Sequence, residues 1–237
     1  MAQLSVNINK IATLRNSRGA NNPNLLKVAI DCEKYGANGI TVHPRPDERH
    51  IKYKYVIDLK ANITTELNVE GNPSLEFLDL VLKVRPAQCT LVPDKANAIT
   101  SSYGWNTKKH FFLLEPIIKK LQDNKIRVSL FINTYPNNIE YAAKLKVNRV
   151  EFYNGPYAAN FHINKQDAIK PYINAAKIAI NNNIEINAGH DLDLDNLNFF
   201  IKNIPQTKEV SIGHALVCDS IYYGLEMTIK EYLKQVQ

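Results

Sequence analysis

Residues 127–152 read RVSLFINTYPNNIEYAAKLKVNRVEF and contain one complete structural unit. Arg127–Ile132 is a short run rich in β-branched and aromatic side chains, which suits a strand. Pro136 stands where a helix starts, because the first helical position does not use its N–H. Asn137–Leu145 has the amphipathic pattern of a helix, and a second β-rich run, Arg149–Phe152, follows it. The same order recurs on both sides. Further β-rich runs are Leu4–Ile8, Gly39–Val42, Glu66–Val69, Gln88–Val92, Glu185–Ala188 and Glu209–Ile212. Helical patterns fall at Asn24–Tyr35, Leu75–Val84, Phe111–Leu121, Gln166–Asn181, Leu194–Ile201 and Ser220–Val236, with a weaker one at Tyr53–Leu59. Pro23 and Pro73 stand near two helix starts, and Asn24, Asn72 and Ser74 are capping candidates.

Eight strand–helix units in 237 residues predict a (β/α)8 TIM barrel in the α/β class, forming a single domain. A doubly wound sheet is the alternative, but it normally opens on a glycine-rich first turn. Here that turn reads Asn9-Lys10-Ile11-Ala12.

Composition narrows the function classes. Apolar residues make up 45%, as in ordinary globular proteins. No apolar run reaches the roughly 18 residues that a membrane helix needs, which predicts no membrane contact. The start, MAQLSVNINK, lacks the basic-then-apolar order of a signal peptide. Cys32, Cys89 and Cys218 lie far apart, outside metal-binding spacing, and fit a reducing cytoplasm. The net charge of +6 permits anionic ligands. Most lysines lie within the helical stretches, where they read as solvated exterior and argue against a nucleic-acid partner.

In a barrel of this type, catalytic groups stand at the C-terminal ends of the strands. The residues there include Asn7 and Asn9; His43 and Arg45; Glu70; Pro93, Asp94 and Lys95; Asn133; Glu151 and Asn154; Gly189-His190; and Gly213-His214. One histidine in such a place reads as structural, but three together with two carboxylates read as an acid–base site. Desolvation at the mouth would raise the proton affinity of Glu70 and Glu151 and make them usable bases. Glu151 is alternatively a stabiliser of a cationic intermediate. The two Gly-His pairs end the seventh and eighth runs, where barrels often bind phosphate through backbone N–H groups and a helix N-terminus. Arg18 and Arg45 are candidates for a second anion. The stretch at about 94–108, with Thr100 and the single tryptophan Trp105, is long for such a loop and reads either as a lid or as packing on the barrel rim. Lys10 and Lys95 keep a Schiff-base aldolase open. No His-x-x-x-His, Cys-x-x-Cys, Gly-x-Ser-x-Gly or Walker sequence occurs.

Several stretches together resemble the pyridoxine 5′-phosphate synthase family. They are Val6–Gly19, Gly39–Ile51, Leu91–Lys95, Val128–Ile132, Asn187–His190 and Ile212–Ala215, in the family's order. The resemblance spans nearly the whole chain. It implies condensation of 1-deoxy-D-xylulose 5-phosphate with 3-amino-2-oxopropyl phosphate, giving pyridoxine 5′-phosphate, phosphate and water in vitamin B6 biosynthesis. It implies no metal or organic cofactor, and a cytoplasmic homo-octamer. By motif, His43 and Glu70 correspond to proton acceptors, His190 to a proton donor and Glu151 to a transition-state stabiliser. Asn7, Arg18, Gly213 and His214 correspond to holders of the amino ketone phosphate, and Arg45, His50 and Thr100 to holders of the pentulose phosphate.

The chain departs from the family pattern at three places. Asn9-Lys10 replaces a common Asp-His pair that contacts the pentulose. Asp191 replaces a common glycine, and its carboxylate would repel a nearby phosphate unless it points away. Cys218-Asp219 replaces a Gly-Arg pair. A phosphosugar lyase or isomerase on the same barrel and a noncatalytic nucleic-acid binder are the readings from other classes.

Overall fold

In the computed structural model, which describes residues 1–94, 98 and 100–237, eight parallel strands close into a barrel. They are β1 (Gln3–Asn7), β2 (Gly39–Val42), β3 (Glu66–Gly71), β4 (Gln88–Leu91), β5 (Arg127–Ile132), β6 (Arg149–Phe152), β7 (Glu185–Ala188) and β8 (Thr207–Ile212). Each pairs with the next, and β8 returns to β1 with Gln3 opposite Glu209 and Val6 opposite Ile212. The (β/α)8 expectation holds, and the doubly wound alternative falls because the sheet has no open edge. All eight strands lie on the eight runs, with ends shifted at β1, β3, β4 and β8.

The helices are α1 (Asn9–Asn16), α2 (Leu25–Lys34), α3 (Tyr53–Asn62), α4 (Leu75–Val84), α5 (Phe111–Asp123), α6 (Pro136–Lys144), α7 (Gly155–Asn181), α8 (Leu197–Asn203), α9 (His214–Tyr223) and α10 (Leu225–Gln235). Asn24 and Ser74 cap α2 and α4 by accepting the N–H groups of Lys27 and Phe77. Asn72 does not cap; its side chain donates to the carbonyl of Val92.

Three helices differ from the pattern in the sequence. Asn9–Ala12, read as a turn, opens a helix that runs to Asn16, with Ile11 and Ala12 buried. The helix expected from Gln166 starts at Gly155 and is interrupted at Asn164 (φ −155°, ψ 94°), whose Oδ1 accepts the N–H groups of Gln166 and Asp167. Asn164 thus caps the second half locally, and that half is the part with visible periodicity. The helix expected over Ser220–Val236 is two helices, because Gly224 at φ 75° breaks it.

Along each strand, alternate residues face opposite ways. Leu4, Ile40, Leu67, Cys89, Val128 and Val150 belong to an apolar layer between sheet and helices. The other set is polar. Ser5 bonds to Thr41, Thr41 to Asn68 and Asn68 to Thr90 across neighbouring strands. Gln88 on β4 reaches Glu209 on β8 and Asn187 on β7, bonds that run through the barrel interior. At the strand starts, Arg149 pairs with Glu185 at 2.8 Å and Glu209 at 3.1 Å, and Arg127 pairs with Glu66. The apolar core is therefore a ring around a polar lumen whose N-terminal end is closed by ion pairs.

Candidate active site

The opposite end of the lumen gathers most of the strand-tip residues. His43 follows β2 and Glu70 lies in β3, with His43 Nδ1 3.8 Å from Glu70 Oε2. The backbone N–H of His43 donates to Asn9 Oδ1 at 2.9 Å, and the N–H of Asn9 donates to Asn7 Oδ1 at 3.1 Å. Asn9 therefore ties the start of α1 to the tip of β2. Asparagine keeps the acceptor oxygen that this contact needs.

Burial pushes the His43 imidazole well below its ordinary proton affinity, and the positive charges of Arg45, His50 and Arg49 push in the same direction. Burial raises the Glu70 carboxyl to about 8, helped by Asp94 and Glu209 and opposed by Arg45. Glu151, 4% exposed, is raised well above the usual carboxylate range by burial and then by Glu70 and Glu209. Its Oε2 has no hydrogen-bond partner among the described residues. Both shifts favour a neutral imidazole facing a protonated carboxyl at neutral pH.

Arg45 is 4% exposed and donates to Asp94 Oδ2 at 2.7 Å; Ser101 Oγ donates to the same oxygen at 2.6 Å. A cavity of about 120 Å³ opens beside them, lined in part by His43, Arg45, Tyr53, Asn72 and Asp94. His50 packs edge-on to His43 at 6.4 Å, and its Nδ1 accepts the N–H of Ile51 at 2.9 Å. Burial, followed by the charges of Arg45, Arg49 and Lys10, lowers His50 to about 4.

Across the mouth, His190 Nε2 lies 2.9 Å from Thr100 Oγ1, and Nδ1 lies 2.9 Å from Asp191 Oδ2. Tyr153 packs against it in a T-shaped contact at 5.3 Å, and Phe131 in a tilted one at 6.3 Å. These two aromatics were not singled out in the sequence. Their signal was parity, since Phe131 follows Ser129, and Tyr153 follows Glu151, on the lumen side. The Gly189 N–H donates to Asn154 Oδ1 at 3.0 Å, so that donor is already engaged. A Cβ on Gly189 would stand 2.4 Å from the carbonyl oxygen of Ser211, which explains the glycine. Gly213 packs against Asn7, where a Cβ would come within 3.1 Å of Asn7 Cβ, and His214 opens α9. The first-turn N–H groups of α9 therefore point towards the mouth at β8. His214 Nε2 lies 3.6 Å from Cys218 Sγ.

Two expected residues stand apart. Lys10 on α1 and Arg18 beyond it are exposed and make no described contact with the cluster beyond the field of Lys10 on His50. Lys95, with residues 96, 97 and 99 of the stretch read as a lid, lies outside the described residues. In the described part, Trp105 is anchored. It is 4% exposed, its Nε1–H donates to the Leu91 carbonyl at 3.0 Å, and its backbone N–H donates to Phe131. Trp105 thus packs on the barrel rim. Among the described residues no three His, Cys, Asp or Glu side chains group as a metal site would require, and no helix is long and apolar enough to cross a membrane.

The chain matches the family described as "Pyridoxal phosphate biosynthesis protein PdxJ" over residues 4–237. It belongs to that family. It is 58% identical to the pyridoxine 5′-phosphate synthase of Cytophaga hutchinsonii over 237 residues, covering 100% of both chains. It is 56% identical to that of Parabacteroides distasonis, covering 98% of each. Among solved structures, a 3-keto-L-gulonate-6-phosphate decarboxylase from Vibrio cholerae superposes with a TM-score of 0.69 at 13% identity, covering 99% of this chain and 97% of that one. A Thermotoga maritima phosphoribosylanthranilate isomerase gives 0.61 at 12%, covering 100% and 98%. These two likenesses show the barrel fold alone.

Proposed function

We infer that this member of the PdxJ family is a pyridoxine 5′-phosphate synthase that joins 1-deoxy-D-xylulose 5-phosphate to 3-amino-2-oxopropyl phosphate. The observation that carries the reading is full-length identity of 58% to a named synthase, together with an acid–base cluster at the barrel mouth. The reaction needs amine–ketone condensation, loss of phosphate and water, and ring closure. Each step moves protons, and none changes the overall oxidation level.

His43, held neutral, takes up protons. Glu70, with an affinity near neutrality, exchanges them at ring closure. His190 protonates the leaving group. Glu151 ionises against positive charge that develops on the intermediate. Arg45, His50 and Thr100 receive the pentulose phosphate; Asn7, Gly213, His214 and the start of α9 receive the amino ketone phosphate, with Arg18 closing over it. The loop at about 94–108 shields the reacting carbons from water. The enzyme is a transferase acting in the cytoplasm as a homo-octamer, with no cofactor and no nucleic-acid partner.

Incubation with both substrates should give pyridine absorbance and free phosphate, and omission of either should abolish both signals. Turnover of a single phosphosugar would instead favour a lyase or isomerase. Sedimentation in solution tests the octamer.

A further inference from the structure

We propose that Asp191 is a positioning residue that fixes the ring of His190 so that its Nε2 delivers a proton at the barrel mouth. The proposal deepens the reading of His190 as proton donor and rests on it.

Asp191 has φ 69°, in the left-handed region that a non-glycine side chain enters at a cost. Aspartate and asparagine tolerate it better than most residues, but glycine fits without strain. The turn is held on both sides. The Asp191 carbonyl accepts from Asn196 Nδ2 at 3.2 Å, and the N–H of Leu192 donates to Gly189 at 2.8 Å. The side chain built on this strained position points at His190, with Oδ2 2.9 Å from Nδ1.

The imidazole holds the Asp191 carboxyl below the usual range, so it is ionised at neutral pH. An ionised carboxylate only accepts hydrogen bonds, so the nitrogen facing it is the one that keeps a hydrogen. The contact lies at ion-pair distance, and Nδ1 has no hydrogen-bond partner of full geometry among the described residues. The other nitrogen, Nε2, faces the Thr100 hydroxyl. Tyr153 and Phe131 pack against the ring. Each ring nitrogen therefore has one direction: Nδ1 to the carboxylate, Nε2 to the mouth.

The proton transfer balances. The Nε2–H bond of the imidazolium breaks as the departing oxygen gains the proton. The ring becomes neutral, Nδ1–H is retained, and Asp191 stays ionised.

Asp191→Gly and Asp191→Asn test this. Both suit the backbone, so both should fold. The expected result is a fall in kcat of about 10–100-fold, the usual effect of losing a group that orients an imidazole, with KM for both substrates unchanged. The ¹⁵N NMR signals of His190 should show an Nδ1–H ring at high pH in the parent and a shift towards Nε2–H in both variants. A parent-like tautomer and a parent-like kcat in Asp191→Asn would overturn the proposal. His190→Ala separates the two layers of the argument. If it keeps full turnover, the reading of His190 as donor fails, and the tautomer measurement alone then decides the role of Asp191.

Discussion

His43 and His190 stand at the mouth of one barrel in opposite surroundings. His43 is 6% exposed, faces a carboxyl 3.8 Å away that is itself mostly protonated, and lies in the field of arginines. His190 has a side chain 23% exposed and a carboxylate within 2.9 Å that is ionised. The first environment disfavours a cation, and the second places an ionised carboxylate beside the ring. The difference shows two ways in which one residue type is surrounded at one barrel mouth. Burial sets the first and a local ion pair the second.

The comparison can be broken at each end. The largest effect is expected from His43→Asn, which should lower kcat by about 10²–10⁴-fold with the fold intact, read by steady-state kinetics and circular dichroism. Unchanged turnover would remove His43 from the mechanism.

Glu70→Gln should also slow turnover, yet stabilise the protein in a pH-dependent way. A carboxyl raised to about 8 in the fold and near 4.5 when unfolded destabilises the fold progressively as pH rises through that window. Below pH 4.5 both states are protonated and the cost vanishes. The variant should therefore melt higher than the parent at pH 8, by about 2–4 °C for each kcal/mol relieved, and no higher at pH 4. Equal melting shifts at both pH values would contradict the burial of Glu70.

His50 sharpens the same point with the opposite sign. Its fold value of about 4 lies below the ordinary 6.5, so its stabilising contribution is full above 6.5 and is lost as pH falls towards 4. His50→Gln should flatten the acid side of the stability curve. Asp94→Asn removes a negative charge that raises Glu70 and frees Arg45, which lowers it, so the kinetic limb belonging to Glu70 should move to lower pH. The smallest effect is expected from Cys218→Ala. Its 3.6 Å contact with His214 is a weak sulfur bond, and stability should change by no more than about 0.5 kcal/mol in a melting curve.

The barrel was legible because eight short β-rich runs alternate with helical stretches, and the strand-tip list was read from the ends of those runs. His43, Glu70, Glu151 and His190 could be picked by type and position alone. Their relations could not. That Arg45 is engaged by Asp94, that Asn9 holds the backbone of His43, and that Gly189 gives its N–H to Asn154 all depend on side chains 34 or more residues apart meeting in space. The polar lumen was also hidden, because Ser5, Thr41, Asn68 and Thr90 look like ordinary strand polar residues until the barrel closes. The helix errors have local causes. Asn164 carries its own cap inside α7, and Gly224 ends α9 where the apolar spacing continues unbroken.

The most direct test of the account is an NMR titration of His43 in the substrate-free enzyme. The account predicts a neutral ring from pH 8 down to well below 6.5, while Glu70 stays protonated up to about 8. A His43 that takes up its proton at 6.5 or above would contradict it, and with it the division of labour between the two sides of the mouth.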